Sequence, residues 1–240
     1  MKSIQYVKTI PSYLVGSFRQ TLATLDKPLA FKPMPPCPVL LVPGAFCTAS
    51  VMNRLGEQLE SLGKSVGVAP SFPYYVSAVA NLCRLNTSVE QYKAWLGKLR
   101  DQGIEQADVV AHSNGGLIAL MALASQDESI GSMPRIRKIV TMATPFGGFP
   151  AAMLLSPVIP CCRDLLTDAT ALRLARGGAH KVARFLVSGS DSLIPPDNQF
   201  VDVSRRTVMP GFQHMDFIVG SPEKVKRTAQ EVVRWLDSDS

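Results

Sequence analysis

A hydroxyl, an imidazole and a carboxylate can together open a carbonyl, and this 240-residue chain offers such groups sparingly. Ser113 stands in Ala111-x-Ser113-x-Gly115, between the apolar run from Val109 to Ala111 and a stretch with Leu117, Leu120 and Leu123 at helical spacing. The pattern reads as strand, sharp turn and helix, an elbow that holds its serine up on strained backbone. So tight a turn needs small neighbours, which Ala111, Gly115 and Gly116 supply. The serine needs a base, and the chain has only three histidines. His112 adjoins the serine, so its ring should point away and serve as support. His180 lies beside Gly177 and Gly178 and should face water. His214, in a loop between the last strand and the last helix, remains as the base. The orienting acid should lie between serine and histidine in the chain. Asp191 directly follows a strand and is favoured. Asp197 and Asp202 lie further into that loop, Asp216 could hold the His214 loop, and Asp164 and Asp168 fall in a segment that reads as a cap. Two backbone N–H groups should hold the developing oxyanion. One is that of Asn114, at a helix N-terminus. The other is that of Ala45, just past the turn at Pro43-Gly44.

These residues meet only if the intervening elements bring them to one edge of the molecule. Short apolar runs at 38–43, 65–69, 109–111, 137–143, 183–188 and 206–209 read as strands, most of them buried. Val51, Met52, Leu55, Leu59 and Leu62 repeat at helical spacing before a stop at Gly63. Thr87-x-x-Glu90 has the form of a capping box and should open a helix carrying Tyr92, Trp95, Leu96 and Leu99. Ser221 should cap a last helix with Pro222 at its first position, burying Val225, Val232, Val233 and Leu236. Strands alternating with helices imply a mostly parallel sheet covered on both faces, with function at the carboxyl ends of its strands. Each candidate above falls at such an end. Residues 149–181 show no strand pattern and are expected to form a short cap or lid. Within them and just before, the apolar stretch from Phe146 to Pro160 is expected either to line an acyl pocket or to pack as plain core.

Hydrophobic residues make up 46% of the chain and charged ones 18%, the balance of a packed globular protein. Net charge is +6, yet the basic residues are scattered and form no basic helix, so nucleic acid is not an expected partner. Five cysteines, at 37, 47, 83, 161 and 162, have neither framework nor Cys-x-x-Cys spacing. Neither a disulfide scaffold nor a metal site is expected, and reduced thiols suit a cytoplasmic setting. No run of 18 apolar residues occurs, nor an apolar core of a signal peptide near the N-terminus. Residues 1–28 carry Ile4, Val7, Leu14, Phe18 and Leu22 near one helical stripe, with Lys2, Lys8 and Arg19 beside it. This N-terminal extension reads first as a helix packed on the main body, residues 29–240. Its second reading is a peripheral contact with an anionic membrane surface. A proline-rich connector follows at 27–38. Oligomeric state is not legible.

The pieces Val42-Pro-Gly-Ala45, Ala111-His-Ser-Asn-Gly115, Ala143-Thr-Pro-Phe-Gly147, Ser190-Asp-Ser-Leu-Ile-Pro195 and Gly211-Phe-Gln-His214 resemble the α/β-hydrolase superfamily, and within it the small bacterial lipases and esterases. The resemblance spans about residues 38–238. It implies an α/β-hydrolase fold, a Ser113, His214 and Asp191 triad, an oxyanion hole at Ala45 and Asn114, and hydrolysis of an ester or lipid substrate without cofactor. Pro43 stands where the common histidine of the His-Gly oxyanion motif would be, and residues 1–28 have no counterpart. Two other readings remain at this stage. One is an acyltransferase or thioesterase using the same three residues. The other is a binding protein on a hydrolase fold.

Overall fold

A computed structural model describes residues 37–70, 83–124 and 133–238. The N-terminal stripe, most of the proline-rich connector and the aromatic stretch at 71–82 lie outside the described residues. The apolar runs form six strands: β1 (Val39–Val42), β2 (Val66–Val68), β3 (Gln106–His112), β4 (Arg135–Met142), β5 (Val182–Ser188) and β6 (Arg206–Met209). All pair in parallel, in the order β2-β1-β3-β4-β5-β6. Every expected strand is present. Strand β4 starts two residues earlier than its apolar run, because Arg135 pairs with Gln106 of β3. The central strand β3 is anchored at its start by Asp108, whose buried carboxylate accepts from Arg137 Nε at 3.0 Å and Nη2 at 2.6 Å across on β4. Since the strands run the same way, their carboxyl ends gather on one edge, and the turns there are the ones that carry Ala45, Ser113, Asp191 and His214.

Helices cover both faces. The helices are α1 (Asn53–Ser61), α2 (Leu85–Asp101), α3 (Asn114–Ala124), α4 (Ala152–Leu155), α5 (Pro160–Arg163), α6 (Thr170–Gly177), α7 (Asp216–Val219) and α8 (Pro222–Leu236). One core lies between the sheet and α2, α3 and α6, and joins Leu96, Leu117, Leu120, Leu172 and Phe185. The other lies between the sheet and α1, α7 and α8, and joins Leu55, Leu59, Phe217, Val225 and Val232. Each fully buried leucine here stabilises the fold by about 2–5 kcal/mol, read as its truncation cost. The Ser221 hydroxyl accepts from Lys224 N–H and caps α8, with Pro222 at its first position, as the sequence leads one to expect. In α8, Val233 is only partly buried.

Three expectations need correction. Helix α2 starts at Leu85, so Thr87 lies inside it and the capping box does not form. The Leu85 N–H is met instead by the buried carboxylate of Asp164, at 2.7 Å, which also takes a fork of bonds from Arg84. A carboxylate distant in sequence thus outcompetes the local hydroxyl. Leu62 is 41% exposed, because α1 ends at Ser61 and the chain reverses at Gly63, φ 81°. The 149–181 segment contains no strand, as expected, but it is not a cap throughout. Its last helix, α6, is core, with Ala171, Leu172 and Ala175 buried against α3. The stretch from Phe149 to Leu166, with α4 and α5, is the part that lies over the strand ends.

Candidate active site

The elbow forms as its spacing suggests. Strand β3 ends at His112, α3 starts at Asn114, and Ser113 between them has φ 53°, a left-handed value that costs a residue with a side chain about 1–3 kcal/mol. The turn is held by Ser113 N–H donating to Met142 O at 2.8 Å. The need for small neighbours is literal. A Cβ on Gly115 would lie 2.5 Å from Val42 O, and one on Gly44 would lie 2.7 Å from Ser113 Cβ. The β1 loop, the serine and the start of α3 therefore touch backbone to backbone.

The three residues expected to act together are brought together. His214 Nε2 is 2.9 Å from Ser113 Oγ, and His214 Nδ1 is 2.8 Å from Asp191 Oδ2. With Nδ1–H donating to the carboxylate, Nε2 can accept a hydrogen bond from the Ser113 hydroxyl. All three side chains are buried. Asp191 also accepts at Oδ1 from the N–H groups of Leu193, at 2.8 Å, and Ile194, at 3.0 Å. The other acids stand elsewhere. Asp197 is exposed, Asp202 caps a turn at Ser204, Asp164 clamps Arg84, and Asp168 is exposed. Asp216 holds the His214 loop, accepting from Gln213 N–H at 2.7 Å and from Lys224 Nζ at 2.6 Å. His180 is exposed, with Nδ1 2.9 Å from Gly177 O.

Two supporting residues have stronger roles than the sequence reveals. His112 Nε2–H donates to the backbone carbonyl of His214 at 2.8 Å, so the residue before the serine steers the loop of the base. Burial, reinforced by the neighbouring His214, pushes the His112 ionisation down to about 3, so it is a neutral prop at ordinary pH. Gln199 is absent from the sequence-level candidates. Its Nε2 donates to Asp191 Oδ2 at 3.1 Å and to Ile194 O at 2.7 Å, and its Oε1 accepts from Ser188 N–H at 2.7 Å. A buried amide thus fixes the acid to the end of β5. No local pattern marks it, since a glutamine in a polar loop ordinarily faces solvent.

Ser113 opens on a cleft with about 470 Å³ of empty space, counted to the open solvent at its mouth. Phe46, Phe149, Leu155, Leu165, Leu193 and Ile194 line it, and among the described residues no charged side chain does. Cys161 and Cys162 complete one side. Leu193 and Ile194 therefore do two things: their side chains wall the cleft and their N–H groups hold Asp191. Phe149 and Leu155 from the apolar stretch line the cleft as one expectation held. Phe146 belongs to the core instead, edge-on to Phe185 with ring centroids 5.4 Å apart. Ala45 and Asn114 also line the cleft beside Ser113, and among the described residues neither backbone N–H has a hydrogen-bond partner. Among the described residues no group of three or more His, Cys, Asp or Glu side chains is placed to hold a metal ion.

A six-stranded parallel sheet, an elbow serine after its central strand and an acid and a histidine at later strand ends make up the α/β-hydrolase fold. Comparison with known proteins bears this out. A family described as "Alpha/beta hydrolase of unknown function (DUF915)" matches residues 74–152, which include the elbow. No curated protein sequence matches the chain. Among solved structures, the mature lipase BlEst2 of Bacillus licheniformis is similar at 15% identity and a TM-score of 0.63, over 88% of this chain and 95% of that one. The phospholipase PlaB of Legionella pneumophila is similar at 14% identity and a TM-score of 0.64, over 87% of this chain and 60% of that one. A monoacylglycerol lipase of Paleococcus ferrophilus is similar at 16% identity and a TM-score of 0.53, over 83% of this chain and 95% of that one. Lipases and esterases are thus among the solved proteins that share this fold.

Proposed function

We propose that the chain is a serine hydrolase of carboxylic esters that carry an apolar acyl chain. The observation that carries this reading is the hydrogen-bonded chain Asp191–His214–Ser113 ending in a cleft that, among the described residues, has no charged walls. His214 Nε2 takes the Ser113 proton as Oγ attacks the ester carbonyl. The N–H groups of Ala45 and Asn114 receive the negative charge that forms on the carbonyl oxygen. Asp191 stabilises the imidazolium without itself taking the proton. His214 then hands its proton to the departing alcohol. Water repeats the sequence on the acyl-serine and frees the acid. Aromatic and aliphatic walls favour an acyl chain over a charged group, which would enter without a counter-ion.

A panel of p-nitrophenyl esters from acetate to palmitate tests the reading. Hydrolysis is expected, with kcat/KM rising from acetate into the medium chains as methylenes enter the cleft, each worth up to about 0.8 kcal/mol. No turnover of any ester, or a preference for acetate, would contradict it. The same assay with an alcohol present separates hydrolysis from acyl transfer: free acid is the expected product, and ester exchange as the main product would make water the lesser acceptor.

A further inference from the structure

We propose that Cys161 and Cys162 form a dithiol site in the cleft wall that binds a trivalent thiophilic centre, an organoarsenic(III) group, across both sulfurs. The two residues are neighbours in α5, and both line the cleft that Ser113 opens on. As neighbours in the chain, the two thiols lie close enough to perturb each other's ionisation. Their mutual interaction holds the Cys162 thiol below its ordinary value and, together with burial, pushes Cys161 up. A pair of thiols this close would ordinarily oxidise to a disulfide. This pair is poorly placed for that. Adjacent Cα atoms stand about 3.8 Å apart, short of the roughly 4.4–6.8 Å that disulfides usually span. A larger atom meets no such limit, because it bridges the sulfurs without joining them. The pair is therefore kept as two thiols, on an apolar surface that suits an organic substituent.

The other cysteines do not offer this. Cys47 is buried, and burial pushes its thiol up to about 12. Cys37 is raised by burial and by the nearby Asp108. Cys83 has its sulfur 3.1 Å from Ser88 Oγ and does not line the cleft.

The chemistry is a condensation without redox change. A phenylarsenic(III) oxide and two thiols give a phenylarsenic dithiolate and one water. Two As–S bonds form, the arsenic–oxygen bond breaks, and both thiol protons leave on that oxygen. The product stands in the wall of the cleft that Ser113 opens on and should exclude an acyl chain.

The test uses the full chain with phenylarsine oxide, read by intact mass and peptide mapping, so it needs no turnover. Wild type is expected to gain one phenylarsenic group, mapped to residues 161–162. The adduct should resist excess monothiol and be removed by 2,3-dimercaptopropanol. Cys161→Ser and Cys162→Ser should each bind about a hundredfold more weakly, because the second As–S bond forms at high effective concentration. Cys83→Ser should bind as wild type does. Prior labelling of Ser113 with a long-chain fluorophosphonate should slow uptake. No adduct on wild type, an adduct at Cys37, Cys47 or Cys83, or undiminished binding by either serine variant would overturn the proposal. Loss of ester turnover on arsenical binding is a further expectation that rests on the proposed hydrolysis. The mass readout stands whether or not that reading does.

Discussion

His214 is fixed by three residues with different jobs. Asp191 holds its ring, His112 holds its backbone, and Ser113 meets its Nε2. Each can be removed separately. Gln199→Leu should leave Ser188 N–H buried without a partner and strip one donor from Asp191. It should cost about 1–3 kcal/mol of stability and lower kcat roughly ten- to a hundredfold as the acid shifts. Chemical denaturation and ester kinetics would check the two effects. His112 gives a pH signature. Its folded ionisation is pushed down to about 3, while an unfolded histidine takes its proton near about 6.5. Between those values the unfolded chain binds more protons. The stability tied to His112 is therefore whole above that window and is lost as pH falls through it, by up to about 1.4 kcal/mol per unit. His112→Gln should flatten the slope of stability against pH by nearly one proton between pH 4 and 6. An unchanged slope would mean that His112 is not buried and neutral. Ser113 stands out in sequence by the strand–turn–helix pattern around it, and His214 because the chain has only three histidines. Asp191 is legible only as the favoured choice among several acids. Gln199 is not legible, since it matters only once β5 and the loop after it have folded.

At the scale of elements, the elbow depends on backbone contact that a methyl would prevent. Gly115→Ala places a Cβ 2.5 Å from Val42 O and 2.8 Å from Pro43 O. It should cost at least about 1–3 kcal/mol, with a lower midpoint in thermal unfolding. A neutral result would refute the close packing of β1 on α3. The alternation of strands and helices reads from sequence because a buried parallel strand is a continuous apolar run and a covering helix is periodic. The start of α2 does not, because its N-terminal donor is met by Asp164, 79 residues away in sequence. Asp164→Ala should destabilise by about 1–2 kcal/mol, the size of a lost helix cap, whereas Thr87→Ala should be near neutral; calorimetry of the pair distinguishes the two capping schemes. The 149–181 segment is misjudged as one unit for a related reason. Short apolar helices look alike in sequence whether they lie over a cleft, as α4 does, or fill the core, as α6 does.

In the whole molecule, parallel strands and their crossovers carry Ala45, Ser113, Asp191 and His214 to one edge from loops far apart in the chain. The two cores on either face of the sheet keep that edge rigid, and the stretch from Phe149 to Leu166 supplies an apolar wall beside it. Among the described residues no helix is long and apolar enough to cross a membrane. The chemistry proposed here requires that one serine, among all those in the chain, be a nucleophile. Reaction with a fluorophosphonate, followed by peptide mapping, tests that most directly. The expected result is a single phosphonylated residue, Ser113, with labelling abolished in Ser113→Ala and slowed by several orders of magnitude in His214→Ala, since the two groups act as a unit. A folded chain that takes no label, or one labelled equally well without His214, would contradict the proposed hydrolase.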